Sequence, residues 1–320
     1  MAKITLPQKK TQHKRILVIR HGAFGDIVKS LGAFQVIRDN HDQDHITLLT
    51  SPLFKDFCEK TGFFDDIMVD ERGRSLAHYL KITSQIHEKK FDLIYDLQGS
   101  KRTGRYFKIL NFRRKTQWSG NVKGCAFYQK MSQKKVLHPY ERLADQLLIA
   151  GLDLKEQTNL QPDLSCLKFK LSQSLPRKFA LMIPGSSPHT LEKRCPPLFY
   201  ADLATRLKDR GIETVLVGGP DETPIAQAIK QRCPSAFDIT GKTELHEILG
   251  IAQRAKLIIG NDTGPLFLAC ASGKPTFVPW SNYCKAELNA PRGANVHLFR
   301  ESVLANLNPD RFWHAMEKVL

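Results

Sequence analysis

No run in this 320-residue chain approaches the ~18 consecutive apolar residues that a spanning helix needs, which argues against a bilayer-crossing helix. Cysteine is scarce and unpaired in pattern. The seven cysteines, at 58, 125, 166, 195, 233, 270 and 284, are odd in number and include no C-x-x-C pair, so neither a disulfide framework nor a structural zinc site is expected and a reducing cytoplasm fits. No G-x-S-x-G elbow or Cys-His signature occurs. Hydrolase and metalloenzyme chemistry lose support; neither a metal nor a cofactor is expected. Residues 1–14 contain Lys3, Lys9, Lys10 and Lys14 but no apolar segment that could form a signal-peptide core, and they read as a flexible basic arm.

Acid is also short. Against 48 Lys and Arg stand 32 Asp and Glu, a net charge of +16 that favours anionic partners: nucleic acid, phospholipid or a phosphorylated glycolipid. The deficit is local. Residues 101–135 hold eleven Lys or Arg and no acid, interleaved with Tyr106, Phe107, Phe112, Trp118, Phe127 and Tyr128. Such a stretch suits the headgroup boundary of an anionic membrane if the rings are exposed; if the rings belong to the core, the cations simply solvate a basic face.

Short β-rich runs alternate with amphipathic ones in both halves, the pattern of an α/β fold with parallel sheets. Strands are expected at Ile16–Arg20, Ile46–Thr50, Ile67–Val69 and Leu93–Leu97, with helices near 26–39, 75–89 and 139–150. The second half repeats the theme with strands at Phe179–Ile183, Thr214–Val217, Leu257–Ile259 and Thr276–Val278, and helices near 197–210, 223–231, 244–254 and 265–272. Residues 151–178 have no clear period and two prolines. The expected organisation is therefore a basic arm (1–14), a first domain (15–160), a linker (161–178), a second domain (179–305) and a terminal helix (306–320).

Three strand-to-helix loops carry the chemistry. The first strand runs into His21-Gly22-Ala23-Phe24-Gly25-Asp26, where Gly22 and Gly25 permit a sharp turn and close approach to a ligand, without the G-x-G-x-x-G spacing of a dinucleotide site. Asp26 at the helix start could cap free N–H groups, or face a cleft and act as a general base toward an attacking hydroxyl. The second loop, Asn261-Asp262-Thr263-Gly264-Pro265, delivers a buried strand to a helix N-terminus, and the Thr263 hydroxyl and Gly264 backbone there suit a pyrophosphate. Asp262 caps or orients, since like charges repel. The third loop, Pro184 to Pro196, contains Ser186 and Ser187 and ends in Lys193 and Arg194, cations placed to stabilise a departing nucleotide diphosphate. Gly218-Gly219-Pro220-Asp221-Glu222 is a further turn that could line the same cleft.

In this order the segments RILVIRHGAFGDIVKSLGA, IPGSSPHTLEKRCP, VGGPDE and LIIGNDTGPLFLACASGKP resemble glycosyltransferase family 9, the lipopolysaccharide heptosyltransferases, over nearly the whole chain. The resemblance implies a GT-B fold: two facing Rossmann-like domains with a cleft between them, acceptor on the first, nucleotide sugar on the second, and the terminal helix returning to the first. It implies inverting, metal-independent transfer of heptose from ADP-heptose to the inner core on lipid A, by a cytoplasmic enzyme peripheral to the inner membrane. Asp26 then matches the base, Lys193 the cation beside the donor phosphates, Asp262, Thr263 and Gly264 the pyrophosphate turn, and His246 or nearby Glu244 the nucleoside contact. The chain departs from the family at Phe267, where many members have His, at Cys195, where many have Trp, and at Pro279-Trp280-Ser281-Asn282 in place of a G-P-T-x-P loop. A nucleic-acid- or membrane-binding protein and a catalytically degenerate transferase are the alternatives; no recognition motif supports nucleic acid as a partner.

Overall fold

The structure is a computed structural model that describes residues 13–111, 116–130, 137–155, 160–161, 164, 167, 169–187 and 190–320. Most of the basic arm lies outside these residues, as do Arg113, Arg114 and Lys115. In chain order the first half contains β1 (Arg15–Ile19), α1 (Phe24–Val28), α2 (Leu31–Asn40), β2 (His45–Thr50), α3 (Lys55–Glu59), β3 (Asp66–Val69), α4 (Leu76–Glu88), β4 (Leu93–Asp96), α5 (Lys101–Asn111), β5 (Gln117–Gly120), β6 (Phe127–Tyr128) and α6 (Pro139–Ile149). The second contains β7 (Phe179–Ile183), α7 (Pro197–Asp209), β8 (Glu213–Leu216), α8 (Thr223–Arg232), β9 (Phe237–Asp238), α9 (Glu247–Arg254), β10 (Ile258–Gly260), α10 (Gly264–Cys270), β11 (Thr276–Ser281), α11 (Ala286–Asn289), β12 (Val296–Glu301) and α12 (Pro309–Glu317).

Each half builds one six-stranded parallel sheet, ordered β3-β2-β1-β4-β5-β6 in the first and β12-β11-β10-β7-β8-β9 in the second. Both orders are the doubly wound 3-2-1-4-5-6 arrangement, in which ligands bind beyond the carboxyl ends of the strands where the order reverses. The central strands are unbroken apolar runs because helices cover both faces of such a sheet. Ile16 through Ile19 and Phe179 through Ile183 are all buried. The edge strand β12 was not expected from the sequence; it pairs with β11 from Val296 to Glu301, and Phe299 is its buried residue.

The chain divides into two compact units, one of residues 1–21, 36–130 and 146–153, the other of 22–35, 131–145 and 154–320. The second unit thus takes in 22–35 and 131–145, which the sequence assigned to the first domain. The expected helix at 26–39 is two helices. Ser30 lies at the break, its hydroxyl donating to the Asp26 carbonyl at 2.8 Å, a back-bond that bends helices. The terminal helix α12, expected to return toward the first domain, lies in the second unit. Asn308 caps it by accepting from the Asp310 N–H at 2.8 Å, and Phe312 and Met316 join the core cluster of α7, Phe277 and Phe299.

In the first unit, Asp70 just after β3 is fully buried and accepts from five partners: His21, His78, both the Nε and Nη2 groups of Arg102, the Tyr106 hydroxyl and the Arg72 N–H. Burial raises its pKa, but these donors outweigh burial and hold the carboxyl far below the usual range. The network fixes the 70–75 loop to α4 and α5. Its members lie up to 85 residues apart, so no local motif announces it. Of the rings in the acid-free stretch, Tyr106, Phe107 and Trp118 are core residues and Tyr128 is exposed, Phe112 lies outside the described residues, and Lys101, Arg105 and Lys108 face solvent.

Candidate active site in the second unit

Strands β7 and β10 are neighbours in register, Met182 opposite Ile259 and Ile183 opposite Gly260, so the loops that follow them emerge together at the point where strand order reverses. Asn261, fully buried, ties the loops together. Its amide donates to the Pro184 carbonyl at 2.6 Å, and its oxygen accepts from the Cys195 N–H at 3.1 Å and the Tyr200 hydroxyl at 2.7 Å. Sequence reading quoted Asn261 within its motif but gave it no role, because its partners come from other loops. Cys195 is fully buried beneath the loop.

This clamp brings Lys193 onto Asp262, with 2.7 Å between ammonium and carboxylate. Burial pulls against the Lys193 charge, but the bond and charge of Asp262 outweigh it and raise the pKa. The half-buried ammonium therefore stays charged at neutral pH. Arg194 is drawn inward by donating to the Ser186 carbonyl at 2.6 Å, while Ser187 is exposed. Beside them lies Glu222, whose carboxylate occupies the space that a Cβ on Gly185 or Gly218 would fill and accepts from the Gly219 N–H at 2.8 Å. Burial pushes the Glu222 carboxyl up, opposed by that bond and by Arg194. The 218–222 turn thus reaches the same loops.

Thr263 is the N-cap of α10 and makes no side-chain cap bond, and Pro265 occupies the first turn, where it forfeits no helical hydrogen bond. A Cβ on Gly264 would lie 2.7 Å from the Gly25 nitrogen and 3.0 Å from the Phe24 ring, so glycine is required for α1 and α10 to approach this closely. The Asp26 loop and the pyrophosphate-type turn therefore adjoin within one unit. Gly22 has φ of +34°, and a Cβ there would overlap the Asp26 side chain. Asp26 itself is exposed, and its carboxylate reaches back to the Ala23 N–H at 3.3 Å, a capping contact as well as a placement for chemistry. Arg142 on α6, unnoticed in the sequence, is a neighbour of Asp26: burial lowers its pKa and the Asp26 charge counters that. One turn along, the Lys29 ammonium sits 4.1 Å over the ring of Phe267, the position where an imidazole was expected from the family pattern.

His246 stands apart from this group in sequence and partners, at the start of α9 and edge-on to Phe169 at 5.3 Å. Glu244 is exposed, and its N–H donates to Glu247 at 2.8 Å. Trp280, in the departing 279–282 segment, is buried and donates from its indole N–H to the Cys284 carbonyl. Among the described residues no three His, Cys, Asp or Glu side chains are grouped to hold a metal ion. What the group offers is a carboxylate, a helix turn that Thr263 does not cap with its side chain, and two cations held nearby, an arrangement able to accept a proton and to receive a developing anion.

Comparison with known proteins bears on the fold and the family. The chain is 22% identical over 284 residues to lipopolysaccharide heptosyltransferase 2 of Escherichia coli K12, covering 82% of this chain and 81% of that protein. Among solved structures, the E. coli ADP-heptose lipopolysaccharide heptosyltransferase II superposes with a TM-score of 0.75 at 18% identity, over 95% of this chain and 98% of that one. E. coli heptosyltransferase WaaC with ADP gives 0.72 at 16% identity, over 96% and 100%. These likenesses fit the two parallel six-stranded sheets as a two-domain α/β fold of the GT-B class. With the profile of glycosyltransferase family 9 (heptosyltransferase) matching residues 79–278, well over half of a sequence built on this fold, the chain belongs to that family and is a glycosyltransferase.

Proposed function

We propose that this glycosyltransferase transfers heptose from ADP-heptose to the lipopolysaccharide inner core, with inversion, on the cytoplasmic side of the inner membrane. The observation that carries the reading is the close approach of Gly25 to Gly264, which sets Asp26 beside the turn where a donor diphosphate would rest. The relatives' names supply heptose and lipopolysaccharide; the site residues supply the mechanism. No helix among the described residues is long and apolar enough to cross a membrane.

In this mechanism Asp26, which accepts from the Ala23 N–H and neighbours Arg142, accepts the proton of an acceptor hydroxyl. The oxygen attacks the anomeric carbon from the face opposite the diphosphate, the bond to the diphosphate oxygen breaks, and ADP leaves. Lys193, Arg194 and the N–H groups at Thr263 and Gly264 hold the charge that builds on it. Ser186 and Ser187 line the donor side, and Asp262 orients Lys193. His246 is assigned to the nucleoside. One displacement inverts the configuration, and no covalent intermediate is needed. Calorimetric titration with ADP, UDP and GDP tests the donor side: ADP should bind best and weaken markedly in Lys193→Ala. Equal binding of all three, or none, would refute it.

A further inference from the structure

We propose that the solvent face shared by α4 and α5 is a docking surface that seats the enzyme on an anionic bilayer. The proposal rests on the reading of the acceptor as lipid-linked and narrows the basic stretch of residues 101–135 to one face formed by α4 and α5. The core-facing side of α4 is complete without it: Tyr79, Ile82, Thr83 and Ile86 are buried. At the flank of that side Leu76 and Leu80, one turn apart, are 71% and 49% exposed. A lone exposed leucine needs no explanation. Here Leu80 lines, with Ile109, an open groove of about 520 Å³ between α4 and α5, and Leu76 stands one turn before it.

Charge around these apolar positions is mostly positive. From α5 come Lys101, Arg105 and Lys108, all exposed, with no acid anywhere in the helix. Arg105 is held at the seam of the two helices by donating to the Tyr79 hydroxyl at 2.9 Å. From α4 come Lys81 and His87, and one acid, Glu88, which accepts from the Ser84 hydroxyl at 3.0 Å. Arg102 points inward to Asp70 and takes no part. Lys101 stands in the first turn of α5, where the helix macrodipole disfavours a cation, so folding does not account for it. Apolar side chains flanked by cations suit shallow insertion between anionic headgroups. A two-fold pairing of this face with a second copy would set the cations against their own equivalents, which selects the bilayer as occupant.

The test is co-sedimentation of the full chain with vesicles of phosphatidylglycerol and phosphatidylcholine, against phosphatidylcholine alone, at physiological salt. The wild type should bind only the anionic vesicles. Lys101→Gln/Arg105→Gln/Lys108→Gln should weaken binding by about fivefold per cation, roughly 100-fold together. Leu76→Asn/Leu80→Asn should weaken it by about tenfold or more, while Lys208→Gln/Arg232→Gln/Lys256→Gln, with equal loss of charge on the other unit, should not. ADP affinity, measured on the same samples, should be unchanged throughout and reports that each variant is folded. Absent wild-type binding, undiminished binding by the α5 variant, equal loss in the control variant, or self-association lost with the leucines would each overturn the proposal. Vesicle binding that follows these variants in an enzyme inactive on a lipopolysaccharide acceptor would instead refute the acceptor reading and leave the surface standing.

Discussion

Replacing Gly264 by alanine probes the contact on which the site is built. The added Cβ would lie 2.7 Å from the Gly25 nitrogen, 3.0 Å from the Phe24 Cδ1 and 3.2 Å from the Phe24 Cβ. Two of these are backbone or near-backbone atoms that cannot rotate away, so α1 or α10 must move by several tenths of an ångström. Overpacking of this kind costs about 1 to 3 kcal/mol. At ~2–4 °C per kcal/mol, the melting temperature should fall by roughly 2 to 12 °C. Turnover should fall further than stability, because a misplacement of ~1 Å at reacting groups can cost about 10²-fold. The same change at Gly104, inside α5 and 3.5 Å from the Val122 methyl, meets ordinary contact and should stabilise by about 0.5 to 1 kcal/mol. Thermal unfolding and kcat on both variants give the comparison. A Gly264→Ala enzyme as stable and active as the wild type would show that α1 and α10 do not meet as described.

His138 should impose an acid-side loss of stability. Its Nε2 donates to the Ala290 carbonyl at 3.0 Å and its Nδ1 accepts from the Tyr140 N–H, a pattern only the neutral ring can make. Burial, with Arg292 and Lys29 nearby, lowers its pKa from 6.5 to about 4. The unfolded chain then binds the extra proton first, so this contribution is complete above pH 6.5 and is lost as pH falls toward 4, a few kcal/mol in all. Urea titrations across that range should show a shallower pH slope in His138→Gln; an unchanged slope refutes the assignment. Asp262→Asn should lower the pKa of Lys193 and weaken ADP binding, measured by calorimetry from neutral to alkaline pH, and wild-type affinity throughout would contradict the orienting role. Lys29→Met keeps the bulk over Phe267 but removes the charge, and should cost about 0.5 to 2 kcal/mol of stability in thermal unfolding if the cation–π contact contributes.

The parts legible in the sequence were those set by local pattern. Continuous apolar runs such as Phe179–Ile183 mark parallel strands, and the glycine- and proline-marked loops at 22–26, 184–196 and 261–265 stand where strands end and helices begin. What local pattern could not carry was contact between distant segments. The helix start at 22–35 belongs with the second unit because two glycines, Gly25 and Gly264, nearly 240 residues apart, let backbones touch. Arg142 joins Asp26, and Asn261 joins Pro184, Cys195 and Tyr200, through the same kind of long-range closure. The aromatics of residues 101–135 are a case that local pattern left open. Alternation of rings with cations is what an amphipathic helix such as α5 shows when its rings enter the core, and only burial separates that from an interfacial segment.

The central claim, that Asp26 is the base of an inverting heptosyl transfer, is tested most directly by transfer of heptose from ADP-heptose to a heptose-deficient inner-core lipopolysaccharide acceptor. Wild type and Asp26→Asn are compared at saturating donor. The account predicts a product of inverted anomeric configuration, a kcat lowered by about 10² to 10⁴-fold in the variant, and ADP affinity unchanged between the two. Undiminished turnover in Asp26→Asn, or a product that retains the donor's configuration, would contradict it.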